Sequence, residues 1–172
     1  SGRITFGETQ IEVIDTAGIR RRSKVDSDVE YYAVNRAASA LSDADVGLLL
    51  VDASLGLSEQ DKRIAAIAIR RGVAILVALS KWDLISNQSN LLTAMIDRIR
   101  FQFPILGFVP IVPFSGFTGF GVKTLIEKVV NLSCQLNKIV PTAALNQCIA
   151  KWANEYVPTV RGREVKIKYA TQ

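Results

Sequence analysis

The chain contains no histidine and only two cysteines, Cys134 and Cys148, among its 172 residues. Without imidazole, neither a Ser-His-Asp triad nor a histidine-containing zinc site can be built, which removes most hydrolase and zinc-enzyme chemistries. The two cysteines lack the pairing and spacing of a zinc site. They lie in apolar, helical-looking stretches and read as core residues of a protein in a reduced, cytosolic setting. No apolar run is long enough to span a membrane, and no signal-peptide pattern opens the chain. Low-complexity runs are few, and a hydrophobic fraction of 49% supplies a sizeable core. The length suits one domain, or one domain plus part of a second.

Basic residues exceed acidic ones only by 21 to 16. The excess collects in two knots, Arg20, Arg21, Arg22 and Lys24 in one, and Arg161, Arg163, Lys166 and Lys168 in the other. Such knots can face RNA or phosphates, although either one alone reads equally well as solvated surface.

The remainder is an alternation of strand and helix signals. "RITF" and "QIEVID" flank "GET" and predict a hairpin leading into a buried strand. Ser27-Asp28-Val29-Glu30 has the spacing of a capping box, with a helix predicted from there to about Leu41. "DVGLLLVD" and "VAILVALS" are continuous apolar runs of strand length, as parallel strands covered on both faces require. A cap at Ser58 precedes a helix through Ile64, Ile67 and Ala68, and another helix covers Leu91 to Phe101, its Asp97 and Arg100 on a solvated face. "VPIVPFS" predicts a further strand, and helices follow near 122–136 and 143–155. "EVKIKYA" predicts a closing strand over 164–170. The fold class is therefore α/β, a doubly wound, mostly parallel sheet, followed by the beginning of a second, α+β domain.

In such sheets ligands bind beyond the carboxyl ends of the strands. Three of the four predicted strand ends carry residues suited to contacts rather than turns. Asp15, in Asp-x-x-Gly, can hold Mg²⁺ through a water while the backbone N–H of Gly18 reaches a γ-phosphate. In "SKWDL", Ser80 to Leu84, the Asp83 carboxylate can accept from the paired N1–H and N2 amine donors of guanine, and the Lys81 stem can lie along the purine. Ser115-Gly116 can present a backbone N–H to the guanine O6. The fourth end, Asp52, reads as a turn. Each signal is weak alone; together, in this order, they are specific.

In that order the chain resembles the Der (EngA) family of bacterial GTPases. The similarity is carried by "VIDTAGIRRRSKV", "VEYYAVNRA", "DASLGLSEQDKRIA", "SKWDL", "IVPFSGFTGFGV" and "PTVRGREVKIKYATQ", nearly the whole chain. The resemblance implies that residues 1–139 are a second G domain lacking its phosphate loop and switch I, and that 140–172 begin a KH-like domain. It also implies GTP or GDP with Mg²⁺, and a potassium ion near the phosphates. The partners it implies are the large ribosomal subunit, its RNA and the first G domain of the same protein, in the cytoplasm. Ser80 stands where the family has Asn, a change expected to weaken affinity without moving Asp83. Gly116 stands where it has Ala, and Ile19 where Ras-like proteins place a water-orienting Gln.

"GFTGFGVKT", Gly116 to Thr124, nearly spells a phosphate loop. Val122, inserted between Gly121 and Lys123, excludes that reading, because the lysine must follow the glycine directly. The stretch predicts a glycine-punctuated turn into a helix, and its Gly116-x-x-Gly119 is not expected to be a KH clamp. The cradle and the switch I threonine are expected upstream of residue 1, with Ser1-Gly2 either native or a cloning remnant. The chain alone is then expected neither to bind GTP tightly nor to hydrolyse it, and to expose a sheet edge prone to self-association. Two classes of function remain: a guanine-nucleotide switch, or a nucleotide-independent RNA- or protein-binding scaffold with a degenerate pocket.

Overall fold

The computed structural model describes residues 2–14, 44–85, 90–157, 159–160 and 163–171, without the side chains of Val160 and Arg163. They fall into two compact units, Ser1–Leu136 and Asn137–Gln172. Asp15, Gly18, Ile19, the first basic knot and the helix predicted from Ser27 to Leu41 lie outside the described residues, as does Arg161.

The first unit opens with a hairpin. Strand β1 (Gly2–Phe6) pairs antiparallel with β2 (Thr9–Val13), and the two-residue loop places Gly7 at a φ of 59°, which a glycine adopts without steric cost. The hairpin is as predicted, but β2 is not buried: Val13 and Ile14 are both more than 40% exposed. Among the described residues β2 hydrogen-bonds only to β1. An apolar run becomes a core strand only when a neighbour takes up its second ladder edge and covers its faces, and sequence does not show that neighbour.

The central sheet is parallel, in the order β3 (Val46–Asp52), β4 (Ala74–Ser80), β5 (Ile111–Pro113). Strand β4 lies in the middle, and its side chains divide by parity as a pleat demands. Ile75, Val77 and Leu79 join the cluster containing Ala65, Ala68, Ile99 and Leu106, whereas Leu76 and Ala78 pack with Val112 and Leu125 on the opposite face. Helices α1 (Glu59–Arg70) and α2 (Leu91–Gln102) therefore cover one face and α3 (Val122–Leu136) the other. This is the predicted doubly wound arrangement. Strand β3 is covered less completely than expected: Val51 is buried and Leu49 packs on the first core, but Leu48 and Leu50 on the other face remain exposed.

Helix α1 starts where its cap predicts. The Ser58 hydroxyl accepts from Asp61 N–H, and the Asp61 carboxylate accepts from Ser58 N–H at 2.9 Å, closing the reciprocal box. Cys134 and Cys148 are exposed, correcting the expectation that they sit in the core. On α3 the buried and half-buried stripe runs through Leu125, Val129 and Leu132. At 100° per residue, position 134 points well away from it.

The second unit comprises helix α4 (Thr142–Glu155), in which no residue is buried, and a short antiparallel pair, β6 (Thr159–Val160) with β7 (Arg163–Glu164). The strand predicted over 164–170 stops at Glu164. Further on, the side-chain amide of Asn146 takes the place of a neighbouring strand: it donates to the Ala170 carbonyl and accepts from the Ala170 N–H, both at 2.9 Å. Alternating polarity suits a strand, but a ladder needs a backbone partner along its length.

Candidate functional site

Parallel pairing brings three of the strand ends named by the sequence, those of β3, β4 and β5, to one edge. Asp52 is in register with Ser80, and Leu79 with Pro113. Beyond the last ladder positions the loops remain stitched together. Ala53 N–H donates to Ser80 O at 3.0 Å, Phe114 N–H to Leu79 O at 2.9 Å, and Trp82 N–H to Phe114 O at 3.2 Å. Ser80, Lys81, Asp83, Ser115 and Gly116 thus occupy two adjoining loops at the carboxyl end of the sheet.

The first loop turns sharply. Lys81 has φ 58° and ψ 36°, a left-handed conformation unusual for a side chain larger than glycine, and leads into a 3₁₀ turn at Trp82–Leu84. Trp82 is buried and anchors the turn to the core, leaving Asp83 exposed with no protein partner among the described residues. An unpaired carboxylate on a braced turn can accept two donors from a ligand. Ser80 donates its hydroxyl to Val51 O at 3.0 Å, tying the loop back to the neighbouring strand.

Asp52, read from sequence as a turn, does more than turn the chain. Its Oδ1 accepts from the N–H of Ser54 at 3.0 Å and from its hydroxyl at 2.6 Å, while Oδ2 lies 2.7 Å from the Lys81 ammonium. The Lys81 hydrogen bond, then those from Ser54, outweigh burial and hold the Asp52 carboxyl down to about 2 from an ordinary 3.8. A carboxyl lowered in the folded state stabilises that state above its unfolded pKa and loses the contribution as pH falls through the folded value. The urea midpoint of the chain should therefore drop between pH 3.8 and about 2, and Asp52→Asn should flatten that part of the profile. Equal slopes for the two proteins would show that Asp52 titrates as an ordinary carboxyl.

The second loop is held from inside. Ser115 is fully buried; its hydroxyl accepts from Thr118 N–H at 3.1 Å, and its own N–H donates to Phe120 O at 2.9 Å. The Ser115 N–H is therefore already used, and the donor left for a ligand in this pair is the N–H of Gly116. The stretch that imitates a phosphate loop is the predicted turn into α3, with left-handed Gly119 and Gly121 at φ 78° and 72°. Among the described residues no cluster of three or more acidic or cysteine side chains could hold a metal, and no helix is long and apolar enough to cross a membrane.

Comparison with known proteins places this edge in context. The family model of the elongation factor Tu GTP-binding domain matches residues 4–134, most of the chain and all of the candidate edge. The chain belongs to that GTP-binding-domain family. Curated relatives named GTPase Der match along its whole length. The one from Treponema pallidum is 38% identical over 172 residues, 100% of this chain and 37% of the relative. The one from Fusobacterium nucleatum is 40% identical over 172 residues, 98% and 39%. The chain thus spans under two fifths of the length of these relatives. Among solved structures it is similar to Era in complex with MgGDPNP and part of 16S ribosomal RNA, with TM-score 0.61, 27% identity, and coverage of 76% of this chain and 43% of that one. An Era variant from Aquifex aeolicus bound to GDP and aluminium fluoride gives 0.58 and 26%, with coverage of 73% and 41%.

Within this GTP-binding-domain family, the two departures from the expected motif have different weights. A Cβ added to Gly116 would meet nothing within 4 Å, and its φ is not positive, so the loop accommodates the absent alanine without rearrangement. Ser80 lacks the amide that Asn would offer, and its hydroxyl is directed to Val51 instead. The bracing was not legible at Ser80, because the strand that receives the bond is 29 positions away in sequence.

Proposed function

We propose that this chain is the guanine-recognising part of a GTP-hydrolysing ribosome-assembly factor acting on the large ribosomal subunit. The observation that carries the proposal is the placement, at one sheet edge, of the Asp83 carboxylate, unpaired among the described residues, the Gly116 N–H and the stem of Lys81. These are an acceptor for the guanine N1–H and N2 amine, a donor for O6, and an apolar ledge for the ring. The GTPase Der relatives and the RNA-bound Era structure support the assignment to a ribosome-associated GTPase.

In this reading Asp15 holds Mg²⁺ through a water and Gly18 N–H meets the γ-phosphate. A potassium ion, rather than Ile19, assists in orienting water, and the setting is cytoplasmic. Residues 140–172 begin a KH-like domain. Arg20, Arg21, Arg22, Lys24, Arg161, Arg163, Lys166 and Lys168 contact ribosomal RNA or a first G domain. The 172 residues contain no G-x-x-x-x-G-K-S/T sequence. Since that loop supplies most of the phosphate binding and catalysis in such enzymes, the chain alone binds guanine nucleotides weakly and does not turn GTP over.

Saturation-transfer NMR of the chain with millimolar GDP and ADP tests the base site. Contact with GDP well above that with ADP is expected; equal contact, or none, favours the nucleotide-independent scaffold. GTP turnover by the purified chain would overturn the statement about catalysis. For the second basic knot, replacing Arg161, Arg163 and Lys166 together should reduce the slope of log affinity for ribosomal RNA against log salt by about two to three, near 0.7–0.9 per lost phosphate contact. An unchanged slope would return these residues to solvated surface.

A further inference from the structure

Lys81 raises a question that the guanine-site reading leaves open. Its side chain is 61% exposed, yet its backbone is left-handed and its ammonium is fixed 2.7 Å from a carboxylate. A long exposed side chain ordinarily samples many rotamers, and ordering it against a base opposes binding. Here the Asp52 carboxylate holds the ammonium and so narrows the positions open to the stem.

The geometry assigns Asp52 as the positioning residue for Lys81, the group that holds the lysine stem in place as a ledge for a guanine ring. Asp52 suits the task because both its oxygens are committed in different directions. Oδ1 is tied to the turn through the Ser54 N–H and hydroxyl, and Oδ2 faces Lys81. The Asp52 side chain is only 10% exposed, so the immobile partner of the pair is the aspartate and the guided one is the lysine. Parallel register sets Asp52 beside Ser80, one residue before Lys81, and the Ser80 hydroxyl bond to Val51 O closes a second tie between the same two strand ends. The pair thus couples the end of β3 to the base loop at the end of β4. Where the amide of an asparagine is missing from position 80, these two ties hold the loop.

The inference rests on the guanine-site reading, and its test separates the two. Asp52→Asn keeps the oxygen that accepts from Ser54 and turns an NH₂ donor toward Lys81, removing both the charge and the acceptor opposite the ammonium. Acylation of lysines by an activated acetate ester, read by mass spectrometry, reports the pair without any nucleotide. In the unaltered chain Lys81 should react several-fold more slowly than Lys123, whose ion pair with Glu127 is looser, at 3.9 Å, and more exposed, and Asp52→Asn should remove most of that difference. Equal rates at Lys81 and Lys123 in the unaltered chain would overturn the assignment even if the variant failed to fold. In NMR titrations with GDP, Asp52→Asn should weaken binding about three- to fivefold, the range of a partly exposed ion pair. The effect should disappear in a Lys81→Met background, whereas a general loosening of the fold would persist there. A GDP affinity unchanged by Asp52→Asn overturns this role alone; no GDP preference over ADP in the unaltered chain overturns the guanine-site reading and this role with it.

Discussion

Asp83→Asn should reverse the base preference of the site, raising the affinity ratio of xanthosine diphosphate to GDP by about 100-fold or more while leaving the fold unchanged. The magnitude follows from the two hydrogen bonds at stake. With guanine, both the N1–H and the N2 amine donate to the carboxylate, and bonds to a charged group contribute about 1.5–3 kcal/mol each. An asparagine offers one oxygen and one NH₂. The oxygen still accepts from N1–H, but the NH₂ meets the guanine N2 amine, donor against donor. Xanthine carries a carbonyl at that carbon, so the same NH₂ gains a partner. Because the measurement is a ratio, weak phosphate binding by the chain cancels. Asp83 is exposed at the surface of its 3₁₀ turn, so the substitution should change stability by no more than about 0.5 kcal/mol. A ratio unchanged from the starting protein would remove Asp83 from the base site.

The second large effect is expected at Gly121. Its φ of 72° disfavours any side chain, and an added Cβ would fall far closer to the Pro113 carbonyl oxygen than such atoms approach in proteins. Neither neighbour can give way cheaply. Pro113 ends the core strand β5, and the Gly121 carbonyl accepts the Leu125 N–H at 2.9 Å, a bond of the first turn of α3. Gly121→Ala should therefore destabilise the chain by about 3 kcal/mol or more, a fall of roughly 10 °C in Tm for a protein of this size. Since the strain is applied across the loop that buries Ser115, contact with GDP should be lost as well. Gly116→Ala provides the contrast. With free space around it and no positive φ, it should hold Tm within a degree or two or raise it slightly, by restricting the unfolded chain. Thermal melts of the two variants side by side check the argument. Similar melting temperatures would show that the glycine turn tolerates a side chain after all.

The residues proposed to recognise a base were legible because their chemistry is local. Lys81 and Asp83 lie two positions apart on one turn, and Ser115-Gly116 lies on the next loop; type and spacing suffice to name them. The partner of Lys81 was not legible. Asp52 is 29 residues earlier, and its role depends on β3 and β4 pairing in a register that aligns it with Ser80. The same limit explains the exposed strand β2, whose apolar run was read as core. A strand's burial is a property of its neighbours. The cysteines illustrate the helical case. Their apolar surroundings suggested core, but a step of two positions beyond Leu132 turns Cys134 away from the packed stripe.

The sequence by itself determined which segments become parallel core strands, where α1 is capped, which glycines turn the chain into α3, and which residue carries the acceptor suited to guanine. All of these depend on propensity, periodicity and residue chemistry over a few neighbouring positions. Tertiary structure alone decided that Asp52 holds Lys81, that the Ser115 N–H is consumed within its loop so that Gly116 provides the free donor, and that Asn146 rather than a strand secures Ala170. Each of those is a choice among competing hydrogen-bond partners. Such a choice is made only when the fold brings distant segments within about 3 Å of one another.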